Sequence, residues 1–135
     1  GTLQSILDTF ALPTTQLSLI VGLVVFVCGL WIRLWAIHVL GEFFTFEIGI
    51  RKQHTIVNKG PYKWVRHPSY TGYLLASLGI ALTVGSGLYL LLPGIGSLIF
   101  LTLRIRHEEK MLLTHFGQPY RDYSERTKRL IPYIY

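Results

Sequence analysis

Two charged residues, Arg104 and Glu108, lie four positions apart directly after a long apolar run. Residues with this spacing share one face of a helix, so both side chains would project from the same side at the end of that run. A solvated ion pair with the same spacing would add only a few tenths of a kcal/mol to helix stability. Charges at the end of an apolar helix, however, often mark a functional site. The Arg fork suits a carboxylate or phosphate.

Glu109 follows Glu108 directly and makes an acidic pair within a basic segment. Neighbouring side chains on a helix point about 100° apart, so the two carboxylates cannot easily serve one group. We expect one of them to hold an ammonium group and the other to pair with Arg106 or Lys110.

A second concentration of chemistry lies in residues 60–73, where prolines, glycines, aromatic residues and His67 stand between a polar loop and an apolar run. Pro68 fixes its own φ and biases His67 away from the helical region, so this pair predicts a helix start. A helix start leaves free N–H groups and a partial positive charge, which suit an anionic ligand group. His67 could be a base, a ligand or a cap, and its spacing favours the structural role.

Several classes of site are excluded by what the sequence lacks. The single Cys28 lies in an apolar run, so no disulfide can form within the chain. The glycine fingerprints of dinucleotide-binding and phosphate-binding loops are absent. Basic residues stand beside apolar segments, which makes anionic lipid a simpler partner than nucleic acid. We predict no metal site, because metal-ligand spacing is missing from His54, His67, His107 and His115.

The elements that must position these residues are apolar. Half of the 135 residues are hydrophobic and the formal net charge is +6. The length predicts a single domain over residues 1–135, and an opening Gly1 in place of Met leads us to expect further segments before it. Residues 17–40 form an apolar run broken only by Arg33 and His38, longer than the roughly 20 residues that cross a bilayer. Arg33 is expected to snorkel to the membrane interface.

Residues 69–103 hold two further apolar segments, separated by the uncharged turn Gly85-Ser86-Gly87. This pattern predicts a membrane hairpin whose arms have about 16 residues, or roughly 24 Å of helix. Pro93-Gly94 predicts a kink in the second arm. With residues 17–40, the hairpin indicates an all-α integral membrane protein with about three transmembrane helices.

The basic residues predict the orientation of these helices. Of the 13 Lys and Arg residues, 12 lie in the loop at residues 41–68 or in the tail from residue 104. The positive-inside rule therefore places the loop and the C-terminal tail on the cytoplasmic side of a multi-pass membrane protein. Both polar segments would meet at one membrane face, where they could form a common site.

Three stretches of the sequence resemble the membrane-embedded methyltransferases that include isoprenylcysteine carboxyl methyltransferase and the phospholipid N-methyltransferases. The residues that carry the resemblance are His54-Thr55-Ile56-Val57 with Gly60-Pro61-Tyr62; Arg66-His67-Pro68-Ser69-Tyr70-Thr71-Gly72; and Arg104, Glu108-Glu109, His115-Phe116-Gly117, Tyr120, Tyr123, Arg126 and Pro132. They cover the C-terminal two-thirds of the chain, and the Arg-His-Pro-x-Tyr-x-Gly element with the downstream Glu-Glu step is a specific signature. The carboxyl methyltransferase branch is the most similar one.

The resemblance implies an integral membrane enzyme that uses S-adenosylmethionine, with a cofactor site built by the cytoplasmic loop and the tail. The cofactor-binding residues that it implies are His54, Thr55, Ile56, Val57, Tyr62, His67, Pro68, Ser69, Tyr70 and Glu108. Arg104 would face the substrate, so that Arg104 and Glu108 carry the catalytic roles. Glu47 lies where the family has a further cofactor contact, although the sequence match there is weak. A lipophilic substrate would enter from the bilayer, among membrane lipids.

Four functions fit these patterns to different degrees. A carboxylate acceptor, such as that of an isoprenylcysteine, is ionised near neutral pH and needs no general base. A phospholipid amine acceptor must lose a proton, for which Glu109 or His107 would be candidates. A sterol-reductase-like enzyme is disfavoured, since the acidic pair repels a phosphate-rich dinucleotide. A membrane scaffold explains hydropathy and charge but not the expected clustering of five residues on one membrane side, namely Tyr62, His67, Tyr70, Arg104 and Glu108. Lys128 stands where prenyl-specific relatives have Pro, which keeps the lipid substrate open.

Overall fold

The protein is helical. Its computed structural model describes residues 1–41 and 56–135. Within those two ranges, extended segments meet only at two isolated bridges. The helices, in chain order, are α1 (Thr2–Thr9), α2 (Gln16–Leu40), a 3-10 turn (Gly60–Lys63), α3 (Pro68–Val84), the single turn α4 (Gly87–Tyr89), a π-helix (Leu90–Ile95), α5 (Gly96–Phe116) and α6 (Gln118–Arg126). The predicted all-α class agrees with this order.

The described residues divide into two compact units. The first contains residues 1–31 and 72–100, and the second contains residues 32–71 and 101–135. The helices α2, α3 and α5 each contribute residues to both units. The prediction of a single domain over the whole chain therefore stays a prediction.

Helix α2 is the apolar run that the sequence predicts to span a bilayer. It has 25 residues, and its most apolar window has a mean hydropathy of 2.4. At 1.5 Å per residue this is about 37 Å, enough to cross the hydrocarbon core with some tilt. Among the described residues it is the one helix long and apolar enough to cross by length and composition. Helix α3, with 17 residues, is shorter.

The first unit is held together by close contact between α2 and α3 at glycines. A Cβ placed on Gly79 would lie 2.6 Å from the carbonyl oxygen of Gly22, and one placed on Gly29 would lie 2.7 Å from that of Gly72. Both distances are far below van der Waals contact, so only glycine fits. Small residues are what allow helices in membranes to approach at the backbone and gain packing contacts.

The turn between the hairpin arms is fixed by the N-terminal segment. Gly85 has φ +68°, a left-handed conformation that favours glycine, and its carbonyl accepts a 2.8 Å hydrogen bond from Leu12 N. Gly87 N donates a 2.6 Å bond to Phe10 O. The residues after α1 thereby satisfy turn groups that would otherwise be unpaired at the predicted uncharged loop.

The second arm contains a π-helix at the position where the sequence predicts a kink, and the kink itself stays a prediction. The π-helix covers Leu90–Ile95, and Pro93 lies inside it. Proline has no N–H to donate and its ring clashes with the preceding turn, so a regular α-helix cannot continue through it. Widening the local turn is one way in which a helix accommodates this defect before the regular α5 begins.

In the second unit, the C-terminal tail returns to lie beside residues 64–67. Gly117, with φ +66°, ends α5 and allows the chain to turn into α6. After α6, Arg66 N donates to Lys128 O at 2.7 Å and Lys128 N donates to Trp64 O at 3.0 Å. His67 N then donates to Arg129 O at 3.0 Å. This short parallel pairing fixes the residues that precede α3.

Candidate functional site

Helix α3 begins at Pro68, as the sequence predicts. The residues of its first turn are buried and hydrogen-bonded to other protein groups to a greater extent than the sequence indicates. His67, Pro68 and Ser69 are all buried. The carbonyl of His67 accepts hydrogen bonds from Tyr70 N at 3.1 Å and Thr71 N at 3.2 Å. Of the N–H groups that a helix start leaves free, that of Tyr70 is thus satisfied, and that of His67 donates to Arg129 O at 3.0 Å, which leaves fewer donors for an anionic ligand than the sequence indicates.

Glu109 is the centre of a cluster of positive groups from three parts of the second unit. Its Oε1 accepts a 2.8 Å bond from Arg66 Nε and lies 3.0 Å from His67 Nε2, while its Oε2 accepts a 3.1 Å bond from Arg129 Nε. The expectation that an acidic residue here pairs with Arg106 or Lys110 is wrong for Glu109. Its partners come instead from the loop and the tail.

The surroundings of Glu109 keep its carboxylate ionised. Burial opposes ionisation, but hydrogen bonds and charges from His67 and Arg66 outweigh it and lower the pKa of Glu109 from 4.5 to about 2. Arg66 also donates from Nη1 to the carbonyl oxygens of Ser124 at 2.8 Å and Thr127 at 2.7 Å. One guanidinium therefore connects the loop, α5 and the end of α6.

Tyr70 contacts both Arg104 and Glu108. Its hydroxyl donates a 2.9 Å hydrogen bond to Glu108 Oε2, and the guanidinium carbon of Arg104 lies 5.9 Å from the centre of its ring. The His67 ring stacks on Tyr70, with centroids 5.6 Å apart and planes inclined by 12°. Tyr70, Arg104 and Glu108 are half-buried, whereas His67 behind them is buried.

Two further tyrosines form the buried base beneath this group. Tyr62 O–H donates to Ala36 O at 3.3 Å, and Tyr62 O accepts a 2.7 Å bond from the hydroxyl of Tyr123. Burial, together with the nearby tyrosine Tyr123 and the charge of Glu108, raises the pKa of the Tyr62 phenol well above its usual value. Tyr62 therefore stays neutral and acts through hydrogen bonding and packing.

Arg33 has a partner that hydropathy did not predict. The predicted snorkelling of this residue to the membrane interface stays a prediction. Its Nη1 donates to Ser69 Oγ at 3.0 Å and to Ser69 O at 3.3 Å. A cation on α2 thus holds the first turn of α3, and Ser69 is engaged by the protein itself.

The sequence-predicted cofactor residues separate into groups with different surroundings. His54 and Thr55, with Glu47, lie outside the described residues, so their predicted roles stay predictions. Ile56 and Val57 are described and half-buried. The members with partners or burial inside the second unit are Tyr62, His67, Pro68, Ser69, Tyr70 and Glu108.

Tyr120 is part of the motif that the sequence shares with the family, but no role is predicted for it from the sequence. It is buried, and its hydroxyl has no hydrogen-bond partner among the residues that the structure describes. Burial raises the pKa of this phenol, and the charge of Glu109 raises it further, which shows that Tyr120 lies near the acidic pair. An unsatisfied buried hydroxyl is uncommon and would have been hard to foresee from spacing.

This arrangement can bind two kinds of charged group side by side. Glu108 receives one hydrogen bond from a neutral phenol and retains capacity to accept from a cation or a hydroxyl. Arg104, on the same side of Tyr70, can hold a carboxylate or phosphate. Glu109, in contrast, is committed to protein partners.

Comparison with known proteins gives a consistent result. A family model described as the isoprenylcysteine carboxyl methyltransferase (ICMT) family matches residues 20–114. A protein-S-isoprenylcysteine O-methyltransferase of Tribolium castaneum is 36% identical over 116 residues, 84% of this chain and 41% of the relative. One of Saccharomyces cerevisiae is 29% identical over 143 residues, 98% of this chain and 60% of the relative.

A solved structure shows the same fold. It is the eukaryotic intramembrane Ras methyltransferase ICMT, with a TM-score of 0.77 at 36% identity, over 84% of this chain and 41% of that one. The chain thus spans between 41% and 61% of the length of the curated relatives compared. The match to the family model covers most of α2, all of α3 and most of α5, and α3 and α5 carry Tyr70, Arg104 and Glu108. The chain belongs to the isoprenylcysteine carboxyl methyltransferase family.

Proposed function

We propose that this protein is a membrane methyltransferase that transfers a methyl group from S-adenosylmethionine to the carboxylate of an isoprenylcysteine-like substrate. The observation that carries the proposal is the contact of one phenol, Tyr70, with both Glu108 and Arg104. Through this contact, a carboxylate that can bind a cation (Glu108) lies close to a guanidinium that can bind a carboxylate (Arg104). Family membership supplies the reaction class.

The residues around Tyr70 fit the cofactor that this reaction needs. S-adenosylmethionine, when bound, supplies an electrophilic methyl group on a sulfonium, together with an ammonium group and ribose hydroxyls. The half-buried Glu108 carboxylate is the chemical partner of such donors, and Tyr70 fixes its orientation. The half-buried Ile56 and Val57, with the half-buried Tyr70, would add apolar and aromatic surface for the cofactor.

Arg104 would position the acceptor. A carboxylate is already ionised near neutral pH, so the enzyme has to orient it and exclude water rather than remove a proton. The planar guanidinium can bind both carboxylate oxygens, which restricts their direction. Contact with the Tyr70 ring limits where Arg104 can lie.

Methylation of a phospholipid amine is the less favoured alternative. An amine acceptor needs a general base with a pKa near the working pH. Glu109, one of the two candidates, has a pKa of about 2 and is held by Arg66, His67 and Arg129. It is therefore a poor base. His107, the other candidate, is exposed.

We also propose a multi-pass arrangement in which α2 and the two hairpin arms span the bilayer. The length and hydropathy of α2 support its span, and the distribution of Lys and Arg supports a cytoplasmic location for the loop and the tail. A lipophilic substrate would then reach the site from the bilayer, and the cofactor would reach it from the cytoplasm.

The cofactor assignment is tested by calorimetric titration of the detergent-purified protein with S-adenosylhomocysteine. Saturable binding is expected, and Glu108→Gln should weaken it at least about tenfold, since a hydrogen bond to a charged group is lost. Glu125→Gln removes an exposed carboxylate from the same unit and should leave binding unchanged. Binding of NADPH in place of the nucleoside would identify a dinucleotide enzyme and overturn the proposal.

The acceptor is tested by methylation assays with a small isoprenylcysteine analogue and with a phospholipid amine. We expect product from the carboxylate alone. Arg104→Gln should raise KM for the carboxylate at least about tenfold while S-adenosylhomocysteine affinity stays within twofold, because only the acceptor loses its charged partner. Product from the amine alone would overturn the assignment of the acceptor and leave the cofactor assignment standing.

A further inference from the structure

A small pocket on the second unit lies apart from the Tyr70 group. Its volume is about 80 Å³, and it is lined by Lys63, Trp64, Arg126, Lys128, Pro132 and Tyr133. We call it the basic aromatic pocket. It contains three cations, two aromatic rings and no acidic residue. The volume corresponds to a few water molecules, which suits one phosphate group and is too small for a nucleotide.

The pocket is built by the same backbone pairing that fixes the start of α3. Val65 and Lys128 form the parallel bridge, and hydrogen bonds on both sides join Lys128 to Trp64 and Arg66. The positions of Trp64 and Lys128 therefore do not depend on flexible side-chain contacts. Tyr133, which also lines the pocket, has φ +65° and lies in a turn in which Tyr135 O accepts hydrogen bonds from Leu130 N at 2.6 Å and Ile131 N at 2.7 Å.

The cations of the pocket are available to a ligand. Lys63, Arg126 and Lys128 are exposed, and no ion pair or side-chain hydrogen bond joins any of them to another residue in the described ranges. Two other basic residues of this unit, Arg66 and Arg129, are engaged because both bind Glu109. Three unpaired cations around one concavity attract a multiply charged anion.

The pocket lies close to the start of α3, the helix that we propose to enter the bilayer. Thr71 Oγ1, in the first turns of α3, donates a 2.7 Å bond to Leu130 O. Trp64 precedes Pro68 by four residues, so it lies within about 14 Å of the helix start. Its side chain is 49% exposed and that of Tyr133 is 88% exposed. Exposed Trp and Tyr rings close to the end of a membrane helix are typical of the headgroup region.

Apolar side chains next to the pocket continue the same surface. Ile131 is 48% exposed and Ile134 is 74% exposed. Contact with lipid would remove the apolar surface of both residues from water, which is favourable. Cations for a headgroup and apolar groups for the adjoining chains thus occur together.

We infer that the basic aromatic pocket binds the phosphate of an anionic phospholipid, and so holds the second unit against the membrane surface. The inference rests on the proposed membrane entry of α3 but not on methyl transfer. Lys63, Arg126 and Lys128 bind the headgroup phosphate, Trp64 and Tyr133 lie at headgroup depth, and Ile131 and Ile134 contact the acyl region.

The test measures which phospholipid the detergent-purified full chain retains. The protein is exchanged into a non-ionic detergent with an equimolar mixture of phosphatidylglycerol and phosphatidylcholine, and bound lipid is quantified by native mass spectrometry. The unaltered chain is expected to retain phosphatidylglycerol at least about tenfold in preference. Removing the pocket cations (Lys63→Ala, Arg126→Ala and Lys128→Ala) should abolish the preference, because each cation near a lipid surface contributes about a fivefold effect.

A charge-matched control separates the pocket from net charge. Arg106→Ala, Lys110→Ala and Arg121→Ala remove three other exposed cations of the same unit and should keep the preference. Equal loss in both triple variants, or no loss in the pocket variant, would overturn the inference. Displacement of the lipid by millimolar inorganic phosphate would show a free-anion site and would also overturn it. S-adenosylhomocysteine titration of the same variants should remain unchanged, so failure here is distinguishable from failure of the proposed function.

Discussion

Adjacent glutamates in this protein have opposite surroundings, and the difference assigns their roles. Glu109 is bound by three groups that carry or can carry positive charge, whereas Glu108 accepts a single hydrogen bond from Tyr70. A carboxylate saturated with protein partners stabilises the fold, and a carboxylate with spare acceptor capacity can bind a ligand. The two surroundings therefore fit a structural role for Glu109 and the ligand-binding role that we propose for Glu108.

Substitution of Glu109 should destabilise the protein in a pH-dependent manner. Glu109→Gln leaves Arg66 and Arg129 without their anion and is expected to cost about 3 kcal/mol at pH 7. Since the pKa of Glu109 is lower in the folded protein, its contribution is complete above about pH 4.5 and is lost as the pH falls toward 2. Unfolding in mild detergent at pH 7, 4 and 2.5 measures the difference between variant and unaltered protein.

That difference should shrink across this acid range and nowhere else. The control is Glu125→Gln, which removes an exposed carboxylate and should change stability by less than about 0.5 kcal/mol at every pH. A Glu109→Gln effect that is constant from pH 7 to pH 2.5 would contradict an ionised, paired Glu109.

The two buried tyrosines of α6 should respond differently to loss of their hydroxyls. Tyr123→Phe removes the 2.7 Å bond to Tyr62 O and leaves a buried carbonyl unsatisfied, at a cost of about 1–2 kcal/mol. Tyr120→Phe removes a hydroxyl with no partner in the described part of the chain, so it should be neutral within about 0.5 kcal/mol. Thermal unfolding of both variants without ligand decides this. Equal losses would contradict an unpaired Tyr120 hydroxyl.

At the residue scale, the sequence predicted which residues matter better than it predicted what they touch. The 100° separation correctly indicated that Glu108 and Glu109 serve different groups. The partners of Glu109 were missed because Arg66 and Arg129 lie 43 and 20 positions away in the chain. Local spacing contains no information about such pairs until the tail has been placed beside the loop.

At the scale of elements, helix ends were predictable because they depend on single residues. Pro68 starts α3, Gly85 forms the hairpin turn, and Gly117 ends α5 with a left-handed conformation. The packing role of Gly22, Gly29 and Gly79 could not be predicted, because in the sequence they are ordinary members of apolar runs. Their role appears only when α2 and α3 are in contact.

Close contact between α2 and α3 predicts a large effect of one methyl group. Gly79→Ala would force its Cβ against Phe26 and within 2.6 Å of Gly22 O, so the helices must separate, and we expect a loss of about 2–3 kcal/mol. Gly96→Ala adds the same methyl at a helical position with nothing within 4 Å and should be neutral or slightly stabilising. Thermal unfolding in detergent compares the two. Equal behaviour would refute tight packing of α2 on α3 at Gly79.

At the scale of the whole molecule, composition and charge indicated a helical membrane protein, and family membership agrees with that class. The basic residues do more than orient the chain. Arg33, Arg66 and Arg129 bind groups within the second unit, while Lys63, Arg126 and Lys128 remain exposed. A count of charges could not divide them in this way, because the division depends on burial.

The proposed orientation makes a prediction about the two ends of α3. With 17 residues this helix is about 26 Å long, so Trp64 and Ser86, beyond its two ends, should face opposite sides of the membrane. The sequence contains one cysteine, and Cys28→Ser gives a background for single cysteines at Lys59 and Ser86. In sealed vesicles of known orientation, a membrane-impermeant maleimide should label the Lys59→Cys variant from the cytoplasmic side only and the Ser86→Cys variant from the other side only.

Arg121→Cys serves as the control for the tail and should follow Lys59→Cys, because the positive-inside rule places both segments together. Labelling of all three from one side would mean that α3 does not cross the bilayer, and with it the proposed lipid contact of the basic aromatic pocket would lose its support.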